Sequence, residues 1–158
     1  MRFRKYKKRI DSDIDYWGNY SEEINKYALF GDTISNIFEW YKEHPGEIGD
    51  ISNQIVVVLE SGMKIAVIVF NYFHNEEDKK VLGFNPIIVN PKYVNKGFGN
   101  KIIQKIIKDK KVLDIDPDAL YACVDSNNVV SIKLFESNGF KISKKRTDNF
   151  FDYMYFFE

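Results

Sequence analysis

The sequence predicts an α/β (α+β) domain: a mixed, mostly antiparallel sheet with a central parallel pair, flanked by helices. Three observations predict it. Runs rich in β-branched residues follow one another closely from Gln54 to Val89. A strongly helical pattern then separates Val81–Val89 from the next such run, Ala119–Val124. A strand, a helix and a second strand can close a parallel pair through a right-handed crossover. Finally, 158 residues suit one domain, taking roughly 100–200 residues per domain. Residues 1–158 are therefore read as a single domain.

The elements follow in order. Residues 2–10 read as an opening strand, with Phe3 among basic neighbours. Residues 21–29 and 33–43 read as helices. In the second, Ile34, Ile37, Phe38 and Tyr41 recur at spacings of three and four. Thr33 or Asp32 would cap it and His44-Pro45-Gly46 would stop it. Gln54–Glu60 and Met63–Phe73 form a hairpin reversing at Ser61-Gly62. The polar run from His74 to Lys79 reads as a loop. Val81–Val89 is a third strand, and Pro86 within it argues for a bulge or an unpaired edge. Residues 97–111 are a helix with the apolar stripe Ile102, Ile103, Ile106 and Ile107. Ala119–Val124 is a strand, and residues 128–137 are a helix ended by Asn138-Gly139. Phe140–Lys145 and Asn149–Phe157 are the last two strands.

Composition excludes several chemistries. Hydrophobic residues at 44% and aromatics at 16% can build a core, so the chain is not disordered. One cysteine, Cys123, permits no internal disulfide and no cysteine-built zinc site. Two histidines, His44 and His74, do not make a three-histidine site, and no metal is expected. Twenty-three basic side chains balance 23 acidic ones, so the excess expected of a nucleic-acid binder is missing. Six of residues 2–9 are Arg or Lys, which a solvated opening strand explains more simply than RNA. No apolar run approaches the roughly 20 residues of a spanning helix, and no apolar stretch follows the basic start. The cytoplasm is the expected compartment.

The stretch from Ile87 to Lys101 carries the chemistry: strand, glycine-containing loop, helix. Such a turn aims free backbone N–H groups at one point, where the helix dipole is positive. Glycine at 97 and 99 lets a pyrophosphate approach closely. The dinucleotide fingerprint would need glycine at 102, which is Ile, and the Gly-Lys-Ser/Thr of a P-loop is absent. A second segment, Val124 to Phe140, follows at a compatible distance.

Together the two segments resemble the GNAT superfamily of acyl-CoA-dependent N-acyltransferases. The family's phosphate motif, V-x-P-x-Y-[RQ]-x-x-G-x-[GA], matches Val89-Asn-Pro91-Lys-Tyr93-Val-Asn-Lys-Gly97-Phe-Gly99. The second motif, V-x-x-x-N-x-x-[AS]-x-x-L-Y-E-x-x-G-F, matches Val124, Asn128, Ser131, Leu134-Phe135-Glu136 and Gly139-Phe140. The match covers roughly residues 81–145.

The resemblance implies N-acetyl transfer from acetyl-CoA to an amine of a small molecule or a protein, without a covalent enzyme intermediate. It implies that the backbone of Ile87, Ile88 and Val89 pairs with the pantetheine arm. The N–H groups of Val94, Asn95, Lys96, Gly97, Phe98, Gly99 and Asn100 would hold the pyrophosphate. Asn128 would lie near the pantetheine and Lys133 near the adenosine. Lys96 and Lys101 would add charge.

Three departures bear on activity. Val94 stands where the family has Arg or Gln. Phe135 replaces a Tyr that protonates the leaving thiolate, and Phe carries no proton to donate. The positions of the family's glutamate base hold Asn85 and Cys123. An amine of pKa near 10.4 is neutral in about one molecule in a few thousand at pH 7, so a proton must be removed. Tyr121, Glu60, Asp125 and Ser126 are the acid/base candidates, by expected proximity. Cys123 reads as a small buried strand residue and His74 as a surface residue. The last strand's aromatics suit core packing, with a homodimer contact as an alternative. A GNAT fold that binds acyl-CoA without turnover is the competing reading.

Overall fold

The computed structural model describes residues 1–29, 32–43, 52–110 and 115–158. Seven strands form one sheet: β1 (Arg2–Lys5), β2 (Ser52–Glu60), β3 (Met63–His74), β4 (Lys80–Val89), β5 (Ala119–Asp125), β6 (Lys141–Lys145) and β7 (Phe150–Phe156). Their order is β1-β2-β3-β4-β5-β7-β6. Every adjacent pair is antiparallel except β4–β5, which is parallel. That is the mixed sheet expected from the crossover between Val89 and Ala119.

The β2–β3 hairpin turns at Ser61 and Gly62, both with positive φ (49° and 78°). Such a turn matches the twist of the strands it joins. The bulge foreshadowed by Pro86 lies between β3 and β4. Ile68 faces Ile87 and Phe70 faces Phe84, so Val69 alone opposes Asn85 and Pro86. The β4–β5 register runs only from Val81–Ala119 to Phe84–Ala122. Beyond Phe84 the two parallel strands part.

The helices form a layer on each face. Helix α4 (Phe98–Lys108) and helix α5 (Val129–Ser137) cover one face. Ile102, Ile103, Ile106 and Phe135 pack there with Leu82, Phe84, Leu120, Ala122 and Tyr153. The N-terminal segment covers β2 and β3 on the other face. Ile14, Trp17, Leu29 and Ile34 bury Ile55, Val57, Val67 and Val69. The β-branched alternation of β2 and β3 thus feeds both cores, because successive strand residues point to opposite faces.

Three expectations need correction. The opening strand ends at Lys5, not residue 10; Lys8–Asp11 is a helical turn (α1) and Ser12–Tyr20 a 3-10 helix. The cause is Asp11, whose side chain is fully buried. It accepts hydrogen bonds from Arg4 at 2.6 and 2.8 Å and from the Lys7 N–H at 2.7 Å. Lys64 adds an ion pair at 3.3 Å. In a continuous strand Arg4 and Asp11 would stand roughly 23 Å apart. The helix expected over 97–111 runs from Phe98 to Lys108, and Asp109 leaves helical geometry at φ −136°. The helix expected over 21–29 is α-helical only for Glu22–Ile24 (α2) and widens to a π-helix over Asn25–Leu29.

The remaining bounds agree within two residues; His74 ends β3 instead of opening a loop. Helix α3 (Ile34–Glu43) is capped by Thr33, whose Oγ1 accepts the Asn36 N–H at 3.1 Å. The expected stop at His44-Pro45-Gly46 lies outside the described residues. No helix among the described residues is long and apolar enough to cross a membrane.

Candidate functional site

The site is organised by the parting of β4 and β5. Past the bulge β4 resumes its pairing with β3, through Ile68–Ile87, Val67–Ile88 and Ala66–Val89. Its opposite edge pairs with no strand among the described residues. Such an edge can hydrogen-bond an extended amide chain as a further strand would.

The loop after β4 is held open by Asn90. Its N–H donates to the Ile65 carbonyl at 2.9 Å and its Nδ2 to the Lys64 carbonyl at 2.8 Å. Its Oδ1 accepts the Lys92 N–H at 3.0 Å, starting a 3-10 turn over Pro91–Tyr93. Asn95 and Gly97 then adopt left-handed conformations, φ 60° and 76°. Gly97 is the residue preceding α4. None of the N–H groups from Gly97 to Asn100 donates to another described residue. They are the unfilled donors of a helix start, where the dipole favours an anion. A Cβ at Gly97 would meet open space, so its glycine is demanded by φ alone. A Cβ at Gly99 would touch Leu134 at 3.5 Å and Val89 at 3.9 Å, an ordinary contact. Lys96 lies over the Tyr93 ring and Lys101 over the Phe98 ring, so both cations stay beside the loop.

A polar cluster stands on the other face, around the end of the β4–β5 register. Tyr121 is opposite Gly83, and a Cβ there would stand 3.3 Å from the Tyr121 Cδ1, so glycine admits the ring. The Tyr121 hydroxyl donates to Asp152 Oδ1 at 2.7 Å. Burial, then this carboxylate, push the Tyr121 phenol well above its ordinary pKa. Cys123 is half-buried, less enclosed than expected, with Arg146 Nη1 at 3.4 Å from its Sγ. Burial and Asp152 raise its pKa too, against the pull of Arg146, so it is no ready thiolate. Continuing the register one residue past Phe84–Ala122 puts Cys123, and its partner Asp152, level with Asn85.

Beside that level a cavity of about 230 Å³ opens between the N-terminal layer and β4. Leu29, Ile37 and Trp40 line it from the helices, Asn85 and Pro86 from the bulge.

Residues 17–140 match the model of the acetyltransferase (GNAT) family. This chain belongs to the GNAT family. It is 26% identical to the uncharacterized N-acetyltransferase YfmK of Bacillus subtilis over 135 residues, 85% of this chain and 81% of that one. The fold is similar to spermidine N-acetyltransferase from Vibrio cholerae in complex with CoA and spermine. There the TM-score is 0.69 at 17% identity, covering 98% of this chain and 94% of that one. It is also similar to yncA of Salmonella typhimurium with its cofactor acetyl-CoA. In that case the TM-score is 0.66 at 18% identity, covering 100% and 94%.

For a GNAT protein, several expected site residues have visible structural work. Asn128 caps α5: its Oδ1 accepts the Ser131 N–H at 3.3 Å and its Nδ2 donates to Ser131 Oγ at 2.9 Å. Asp125 accepts the Asn127 N–H at 2.8 Å and shapes the turn before α5; the Ser126 N–H donates to the Asn149 carbonyl. Lys133 is exposed on α5. Phe135 is buried in the core against Phe84 and Phe140. Glu136 accepts the hydroxyl of the fully buried Tyr153 at 2.9 Å, fastening α5 to β7. Burial, then that contact, push the Tyr153 phenol up to about 12.

Glu60 is not brought to the polar cluster. It is level with Met63, whereas Tyr121 is level with Asn71 through Gly83. Eight residues of β3 separate the two levels, roughly 26 Å. Glu60 instead faces the N-terminal ammonium at 3.4 Å. Sequence reasoning missed Asp152 and Asn90. The available signal for Asp152 was a single acid inside an aromatic strand, Phe150-Phe-Asp-Tyr-Met-Tyr155.

Proposed function

We propose that this protein transfers an acetyl group from acetyl-CoA to a primary amine of a small molecule or protein, directly, within a ternary complex. The observation that carries this reading is one continuous feature. An unpaired strand edge leads into a helix start with unfilled N–H donors, beside two lysines. An amide-containing arm ending in a pyrophosphate has that sequence of needs, so the residues present fit the group.

Bound acetyl-CoA supplies an activated acetyl thioester and a thiolate leaving group. The protein's own residues do the rest. The edge of Ile87, Ile88 and Val89 orients the arm by backbone hydrogen bonds. The N–H groups from Val94 to Asn100 hold the pyrophosphate, with charge from Lys96, Lys101 and Lys133. A backbone N–H near Val89 stabilises negative charge developing on the carbonyl oxygen. Tyr121 keeps its proton through neutral pH, so it serves as a hydrogen-bond donor and not as the base. The acceptor binds as an ammonium and passes one proton to solvent water before its neutral nitrogen attacks, in the cleft beside Asn85.

The buried Phe135 favours a second reading, a GNAT fold that binds acyl-CoA without turnover. Calorimetric titration with acetyl-CoA, followed by thiol release across a broad amine panel, separates the two. The transferase reading expects saturable binding and protein-dependent thiol release with at least one amine. Binding with silence across the panel leaves the sensor, and absence of binding removes both.

A further inference from the structure

We infer that the cavity between α3 and the β4 bulge receives the acceptor, and that it selects a primary ammonium joined to an apolar, aromatic-sized body. This rests on the transferase reading and names its substrate class. The cavity wall is mostly apolar: Ala28, Leu29, Ile37, Trp40 and Pro86. Asp32 is the one ionisable group among the described residues that line it. Its sign suits a cation. Asp32 Oδ1 accepts the Thr33 N–H at 2.8 Å and Asn36 Nδ2 at 2.7 Å, which fixes the carboxylate on the wall. Trp40 adds an aromatic side chain to that wall. A dry cavity of about 150 Å³ can hold benzene, so about 230 Å³ takes an aromatic ring with a short tail. Asn85 and Pro86 form the remaining wall, at the level where β4 leaves β5. Asp32 and Asn85 line the same cavity, so an amine held by the carboxylate shares that space with the level where β4 leaves β5. A long polycation is a poor match, because one carboxylate and an apolar wall leave its other charges unpaired.

The test uses three probes: 2-phenylethylamine, its neutral analogue 2-phenylethanol, and ethylamine. Each is titrated calorimetrically into protein saturated with CoA. Phenylethylamine is expected to bind at least about tenfold more tightly than either control, a difference of about 1.4 kcal/mol. Asp32→Asn keeps an oxygen for the Thr33 and Asn36 donors, so the fold is preserved while the charge is removed. That variant is expected to lose the preference for phenylethylamine over phenylethanol and to retain phenylethanol binding. Trp40→Ala is expected to weaken both. Unchanged preference in Asp32→Asn overturns the inference. So does failure of phenylethylamine to bind, or binding no tighter than ethylamine. If CoA itself does not bind, the transferase reading falls, and the same three titrations on the unliganded protein still decide the cavity.

Discussion

The Tyr121 hydroxyl reaches across from β5 to donate a 2.7 Å hydrogen bond to Asp152 on β7. Its ring lies against Gly83, one residue before β4 begins to diverge. The pair is a short, directed polar contact next to the parting strands. Tyr121→Phe removes the donor and leaves the half-buried carboxylate without it. A hydrogen bond to a charged group contributes about 1.5–3 kcal/mol, so a drop in thermal stability near the low end is expected. Turnover should fall while acetyl-CoA affinity, read by calorimetry, stays within about twofold. Because burial and Asp152 raise the phenol pKa, the wild-type pH–rate profile should show no limb from Tyr121 below pH 10.

Two glycines of one motif should behave differently. Gly97 sits at φ 76°, which alanine tolerates poorly, so Gly97→Ala is expected to cost about 1 kcal/mol and to weaken acetyl-CoA binding. Gly99 lies within helical structure, and an added methyl would rest on Leu134 at ordinary contact distance. Gly99→Ala should leave the melting temperature unchanged or raise it slightly. Thermal melts paired with acetyl-CoA titrations read both effects.

Asn128 offers a separation of cap from cofactor contact. Removing the α5 cap with Asn128→Ala should cost about 1 kcal/mol in urea unfolding. Asn128→Ser restores a capping oxygen and should recover most of that stability. If acetyl-CoA affinity recovers in parallel, Asn128 acts by positioning α5; if it does not, the amide itself meets the cofactor.

Asp11 ties β1 to the first helical turn and should dominate acid sensitivity. Burial alone would raise its pKa, but Arg4, the Lys7 N–H and Lys64 together hold it below the ordinary carboxylate value. A depressed folded pKa means stability present above the unfolded value, about 3.8, and lost as pH falls through the folded one. Asp11→Ala strands the Arg4 guanidinium and the Lys7 N–H, while Lys64 keeps its ion pair with Asp13 at 2.6 Å, and should cost about 3 kcal/mol at pH 7. Urea midpoints at pH 7, 5 and 3 should show the wild-type advantage intact at the first two and shrinking at the third.

Much of the fold was legible because periodicity and punctuation are local. Val, Ile and Phe alternate through residues 54–73, four isoleucines mark one stripe of α4, and Ser61-Gly62 and Asn138-Gly139 reverse or end elements. Local chemistry also pointed to the loop, since glycines at 97 and 99 before a helix need no distant partner. The misread opening strand has the opposite character. Arg4 and Asp11 meet only because the chain folds back, and Lys64 joins them from β3. Likewise the end of α4 at Lys108 is a backbone event at Asp109, with lysines continuing on either side.

What the sequence determined by itself is the class of sheet, the order of its elements and the loop whose donors face outward. These follow from side-chain period, β-branching and glycine placement, all carried by neighbours along the chain. Tertiary structure alone decided which polar groups stand together. Glu60 and Tyr121 both lie on strands, yet the antiparallel register of β2 and β3 sends Glu60 to the far end of the sheet. Asp152, close to the C-terminus, reaches Tyr121 because β7 inserts between β5 and β6. Asp32 and Asn85 line one cavity because the Asn25–Leu29 turn packs on β4 and α3 on β2. Strand register and layer packing are collective outcomes of burying two cores, so no single residue type announces them beforehand.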